Sequence, residues 1–135
     1  MITEDYVSFE IAKLLNKKGF DCECIGYYVY YEPNNVKYSL LGKTNSTWGK
    51  DVYSAPTLQM AMKWLREKHH IVIDVGFENN IFEADDTITI TYSYTIWRFN
   101  KKWPHGGYAT VEGEEKNSYE EACEEAIKYC LENLI

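Results

Sequence analysis

Several features are missing from this chain, and each omission removes a class of answer. Its 135 residues contain no apolar run near 18 residues, so no transmembrane helix is expected. The N-terminus shows no secretory leader pattern, and the expected compartment is the cytoplasm. Positive charge is in deficit: 14 Lys and Arg face 21 Asp and Glu, for a net charge of −7. A field of that sign opposes nucleic-acid phosphates and anionic membrane, so neither is the expected partner, while a basic protein partner stays open. No Gly-rich phosphate loop, no G-x-S-x-G nucleophile elbow and no C-x-x-C pair occurs.

Candidate chemical sites are thin for the same reason. His69 and His70 with Asp74 suggest a metal site, but adjacent side chains in an extended segment point to opposite faces, and no second ligand cluster follows. Cys22-Glu23-Cys24 lacks the two-residue gap of a zinc or redox pair. The acidic run Glu83 to Asp86 lacks the alternating ligands of a calcium loop and reads as a solvated turn. Nothing positions His105 against a thiol as a catalytic pair. No cofactor and no catalytic residue is expected, and the chain reads as a non-enzyme. Cys123 and Cys130 fall two turns apart on a helix, out of bonding reach, so buried reduced thiols are the expected state.

What is present is ordinary globular material, 45% hydrophobic and 26% charged, with an unusual aromatic share of 16% that includes twelve Tyr and four Trp. A chain of this length buries enough surface to dispense with a metal or disulfide staple. One domain, residues 1–135, is expected.

Apolar spacing predicts three helices. Val7, Ile11, Leu14 and Leu15 form the stripe of the first, which starts near Thr3 or Ser8 and closes at Lys18 and Gly19, with Phe20 folding back on Leu15. Leu58, Ala61, Met62 and Leu65 form the second, opened by Pro56 and ending near His69. Ser118 with Glu121 is a capping box for the third, whose stripe runs from Tyr119 to Leu134. Between them, Ile25–Tyr31 and Val36–Leu41 read as a hairpin, and Ile71–Phe77 as a half-buried strand. Thr87–Phe99 is a long alternating strand with Ile88, Ile90, Tyr92, Tyr94 and Ile96 on one face, and Tyr108–Glu112 returns beside it. Residues 42–55 read as a long polar loop around Trp48. The order α-β-β-α-β-β-β-α, with one apolar stripe per helix, predicts an α+β two-layer sandwich: a mostly antiparallel five-stranded sheet with three helices on one face.

The helical segments YVSFEIAKLL, SAPTLQMAMKWLRE and YEEACEEAIKYCLENLI, taken as a set, resemble those of small uncharacterised proteins of Bacteroides and related gut bacteria, some of them phage- or mobile-element-linked. The resemblance covers both ends and the middle of the chain. It implies a cytoplasmic bacterial protein of accessory or phage-linked type, and it brings no catalytic residues.

Function is therefore sought on the uncovered face of the sheet. By parity, Trp97 and Phe99 lie opposite the isoleucines, and Tyr28 and Tyr30 join them if Ile25, Tyr27, Val29 and Tyr31 face the helices. Exposed Tyr and Trp are what interface centres favour. The expected function is a protein-interaction module using Tyr28, Tyr30, Trp97 and Phe99, plus Trp48 in its loop, toward an unknown protein or a second copy. An alternative is an acidic decoy of a nucleic-acid-binding protein, with a carboxylate stripe of Glu120, Glu121, Glu124, Glu125 and Glu132.

Overall fold

The computed structural model describes residues 2, 4–82 and 84–135. Thr3, one expected helix start, and Glu83, part of the acidic run, lie outside them. The described residues form an α+β fold, with three α-helices and two three-stranded antiparallel sheets.

Helix α1 (Phe9–Lys17) begins where the Ser8 hydroxyl accepts from the Ile11 N–H. It ends as the sequence predicts: Gly19 takes φ +91°, and the Phe20 N–H donates back to the Leu15 carbonyl at 2.9 Å. Strands β1 (Cys24–Val29), β2 (Lys37–Lys43) and β3 (Val52–Ser54) form the first sheet, in the order β2-β1-β3. Helix α2 (Leu58–His69) is capped by Thr57, so Pro56 stands just outside it. Strands β4 (Ile71–Phe82), β5 (Thr87–Phe99) and β6 (Gly107–Glu112) form the second sheet as a meander. Helix α3 (Tyr119–Asn133) opens on Ser118, whose hydroxyl accepts from the Glu121 N–H at 3.1 Å.

The single five-stranded sheet, and the two-layer sandwich built on it, are thus corrected: the described residues form two three-stranded sheets, six strands in all. Residues 42–55, expected as a loop, supply the sixth strand. Their last part is the short strand β3, which takes the second edge of β1 at Tyr27↔Ser54, Tyr28↔Tyr53 and Val29↔Val52. The rest of that segment is tied down by side chains. Asn45 donates to the Phe20 carbonyl at 2.7 Å and accepts from the Ser54 N–H at 2.8 Å, and the Ser46 N–H donates to Asp21 at 2.7 Å.

The buried side of β1 differs from the expected one. Cys24, Gly26 and Tyr28 are buried, whereas Ile25 and Tyr31 are exposed; of the residues expected to face the helices, Val29 is buried. Two features select that face. A Cβ at Gly26 would come within 2.8 Å of the Ala55 carbonyl oxygen, so this position admits only glycine at close approach. The buried Tyr28 hydroxyl has a partner inside, donating to the Val7 carbonyl at 2.7 Å.

α1 packs on β3 and α3, α3 packs on β4 and β5, and α2 packs on β4 and α3. One core results, with Ile11, Leu15, Leu65, Ile71, Ile96, Ile127 and Leu131 at its centre. Among the described residues no helix is long and apolar enough to cross a membrane.

Candidate functional site: a bare hairpin arm

The β4–β5 hairpin is the longest regular feature of the molecule. Its register runs unbroken from Ile71↔Arg98 to Phe82↔Thr87, with no bulge. The helices over it are shorter. A 12-residue helix such as α2 spans about 18 Å, whereas a 12-residue strand such as β4 spans about 40 Å. The third strand is short too, since β6 reaches β5 only from Thr95 to Phe99. Beyond the isolated Tyr92↔Lys116 bridge, the hairpin continues as a two-stranded ribbon.

Facing partners on an antiparallel pair share one side of the sheet. Ile73↔Ile96, Val75↔Tyr94, Phe77↔Tyr92, Asn79↔Ile90 and Ile81↔Ile88 therefore form a single continuous face. Its inner part is core: Ile73, Tyr94 and Ile96 are buried, with Val75 and Tyr92 packed against the core's edge. Its outer part keeps the same apolar character without cover. Phe77 is 69% exposed, Ile81 and Ile88 are each 65% exposed, and Ile90 is 46% exposed. The opposite side carries Asp74, Glu78, Asn80, Thr89 and Thr91. At the tip, Asp86 adopts φ 54°. Asp85 there accepts from both the N–H and the hydroxyl of Thr87, which holds its carboxyl below the usual range.

The residues expected to form one aromatic surface are dispersed instead. Trp97 and Phe99 share the outer face of β5, partly exposed, with the Phe99 ring lying over Gly107. Tyr30 is exposed at the end of the first sheet, beside Phe9 and under the Lys13 ammonium. Trp48 is half-buried: it packs on Tyr27 at 4.7 Å, lies under Lys43, and donates from Nε1 to the Ser54 hydroxyl at 2.7 Å. Tyr28 is in the core, and burial pushes its phenol up to about 12.

The acids of α3 do not stand as a free stripe either. Glu124 is drawn inward, where burial raises its carboxyl and the Ser8 N–H donates to it at 3.0 Å. Glu125 pairs with Lys116 at 2.9 Å, and Lys128 lies between Glu10 and Glu132. Glu120 and Glu121 line the groove beside them.

Reactive groups are scattered. The thiols are all free, with Cys22 exposed and the other three buried. Burial pushes Cys24 and Cys130 up to about 12 and Cys123 up to about 11, so all three are held as thiols at neutral pH. The ring of His69 packs edge-on against Trp64 at 4.8 Å, and burial lowers its basicity. His70 ends α2 in the left-handed conformation. His105 lies exposed in the β5–β6 turn. Among the described residues no group of His, Cys, Asp and Glu is arranged to hold a metal ion. A groove of about 580 Å³ lies open to solvent along α1 between Phe9, Lys13, Leu14, Lys17 and Tyr53.

Sequence reading found the alternation of β5 but assigned all its isoleucines to a helix-covered face. The overlooked signal was length: a 13-residue strand outruns any helix of this chain. No family model, no curated protein and no solved structure matches the chain.

Proposed function

We propose that the protein is a non-enzymatic protein-interaction module whose binding element is the outer half of the β4–β5 hairpin. One observation carries this reading. A regular ribbon presents Phe77, Ile81, Ile88 and Ile90 to solvent on one side, beyond the reach of any helix. Contiguous exposed apolar surface of this kind marks interaction sites in water-soluble domains. The ribbon is backed by β5, whose inner half is anchored in the core, so little order has to be gained on binding.

Site-specific photocrosslinking in cells that express the chain tests the proposal. A photoreactive residue at Phe77 or Ile88 is expected to capture a discrete protein, whereas the same residue at Lys63, on the exposed face of α2, captures none. Equal capture at all three positions, or none at Phe77 and Ile88, contradicts it.

A further inference from the structure

We infer that the free edge of β4 along its outer half accepts an extended, amphipathic, cationic segment of another protein as an added strand. This rests on the hairpin arm being the binding element and names the chemistry of its partner.

The first observation is the edge. Among the described residues β4 pairs only with β5, so the backbone groups of its other side have no strand partner. Exposed edges are ordinarily blunted by charged side chains, especially Lys, by Pro or by a bulge. The segment IVIDVGFENNIF contains no Lys and no Pro, its register with β5 has no irregularity, and its charges, Asp74 and Glu78, are both negative, so they repel a like strand and admit a cationic one. An edge that regular is a template for strand addition.

The second observation is charge. From Ile71 to Trp97 the sequence contains no Lys, Arg or His, but it contains Asp74, Glu78, Glu83, Asp85 and Asp86. Among the described residues, none of the ion pairs formed by the protein involves Asp74, Glu78, Asp85 or Asp86. Two such arms brought together would oppose like charges, which disfavours a second copy. A strand that alternates apolar and basic residues satisfies both sides at once. Its apolar side chains would extend the surface of Phe77 and Ile81, and its Lys or Arg would face Glu78 on the other side. Nucleic acid offers neither the backbone ladder nor the right charge.

The test uses labelled, end-blocked peptides of about ten residues, enough to span the outer strand. They alternate Val with Lys, Val with Thr, or Val with Glu, and binding is read by fluorescence anisotropy. The Val–Lys peptide is expected to bind the full chain at least about tenfold more tightly than the Val–Glu peptide, with the gap shrinking in high salt. Glu78→Lys narrows or reverses the gap. Ile81→Thr, which keeps a strand-forming residue, weakens Val–Lys binding by about tenfold. Equal affinity for all three peptides, lost in Ile81→Thr, overturns the cationic assignment and leaves the arm as the binding element. Concentration-dependent sedimentation of the chain alone, abolished by Ile81→Thr, overturns it in favour of a second copy. Binding that neither substitution changes, or no binding by any peptide, overturns the inference; with the crosslinks at Phe77 and Ile88 also absent, the reading of the arm fails too.

Discussion

The inner and outer halves of the β4–β5 hairpin are one structure in register and two in environment. The same face that is buried at Ile73 and Ile96 is bare at Ile81 and Ile88. Strand pairing alone therefore does not decide burial here; the reach of the helices does. The inner half derives its stability from packing against α2 and α3. The outer half depends on cross-strand contacts, which contribute about 0.2–1 kcal/mol per pair.

The sharpest way to break this comparison is to shorten one isoleucine in each half. Ile96→Ala removes a fully buried side chain and is expected to cost about 2–5 kcal/mol. Ile88→Ala is expected to cost no more than about 1 kcal/mol. Denaturant unfolding measures both, and equal losses would mean that the outer half is covered in solution.

A smaller effect separates two glycines. A Cβ at Gly113 would run into the buried Tyr94 ring, whereas a Cβ at Gly76 meets nothing within 4 Å. Gly113→Ala is expected to cost about 1–3 kcal/mol through displacement of that ring. Gly76→Ala is expected to be neutral, or stabilising by about 0.5 kcal/mol, because it restricts the unfolded chain at no steric cost. Thermal melts of the pair check the prediction, and a cost at Gly76 equal to that at Gly113 would contradict it.

The smallest effect is alkaline. Burial and the neighbouring Glu125 carboxylate push the Tyr94 phenol up to about 12, from an ordinary value near 10. The native state then holds a proton that the unfolded chain releases, so stability declines as pH rises from 10 toward 12. Tyr28 adds a decline of the same sign over the same range. Tyr94→Phe removes part of the slope, measured as unfolding free energy against pH. An unchanged slope would show that Tyr94 is not held in the inner half as described.

The helices were legible in the sequence because their signals are local: the Ser8 and Ser118 caps, the Gly19 terminus and the stripes at spacings of three and four. The α+β class followed from them. Sheet membership did not. Val52–Ser54 is too short to show an alternation, yet it takes an edge of β1 as a sixth strand. The face of β1 was ambiguous because Tyr suits either side; the hydroxyl acceptor at Val7 and the space at Gly26 decide it. The strand expected over Ile71–Phe77 runs on to Phe82, because the partner strand holds Asn79 and Asn80 in register opposite Ile90 and Thr89. Of the five aromatic residues singled out, Trp97 and Phe99 lie together on one face; the others belong to the first sheet or the core. The arm combines contacts distant in sequence with the lengths of separate elements, which no single window displays.

Backbone hydrogen exchange, with and without the alternating Val–Lys peptide, tests the central claim most directly. In the free chain, the amides of Val72 and Ile96, which bond to β5 and β6, should exchange only through global unfolding, while those from Phe77 to Ile81 and from Thr87 to Ile90 exchange directly or through local opening. Peptide should slow exchange in the outer half and nowhere else. Slowing centred on Trp97 and Phe99 or on the α1 groove, or no slowing at all, would contradict the account.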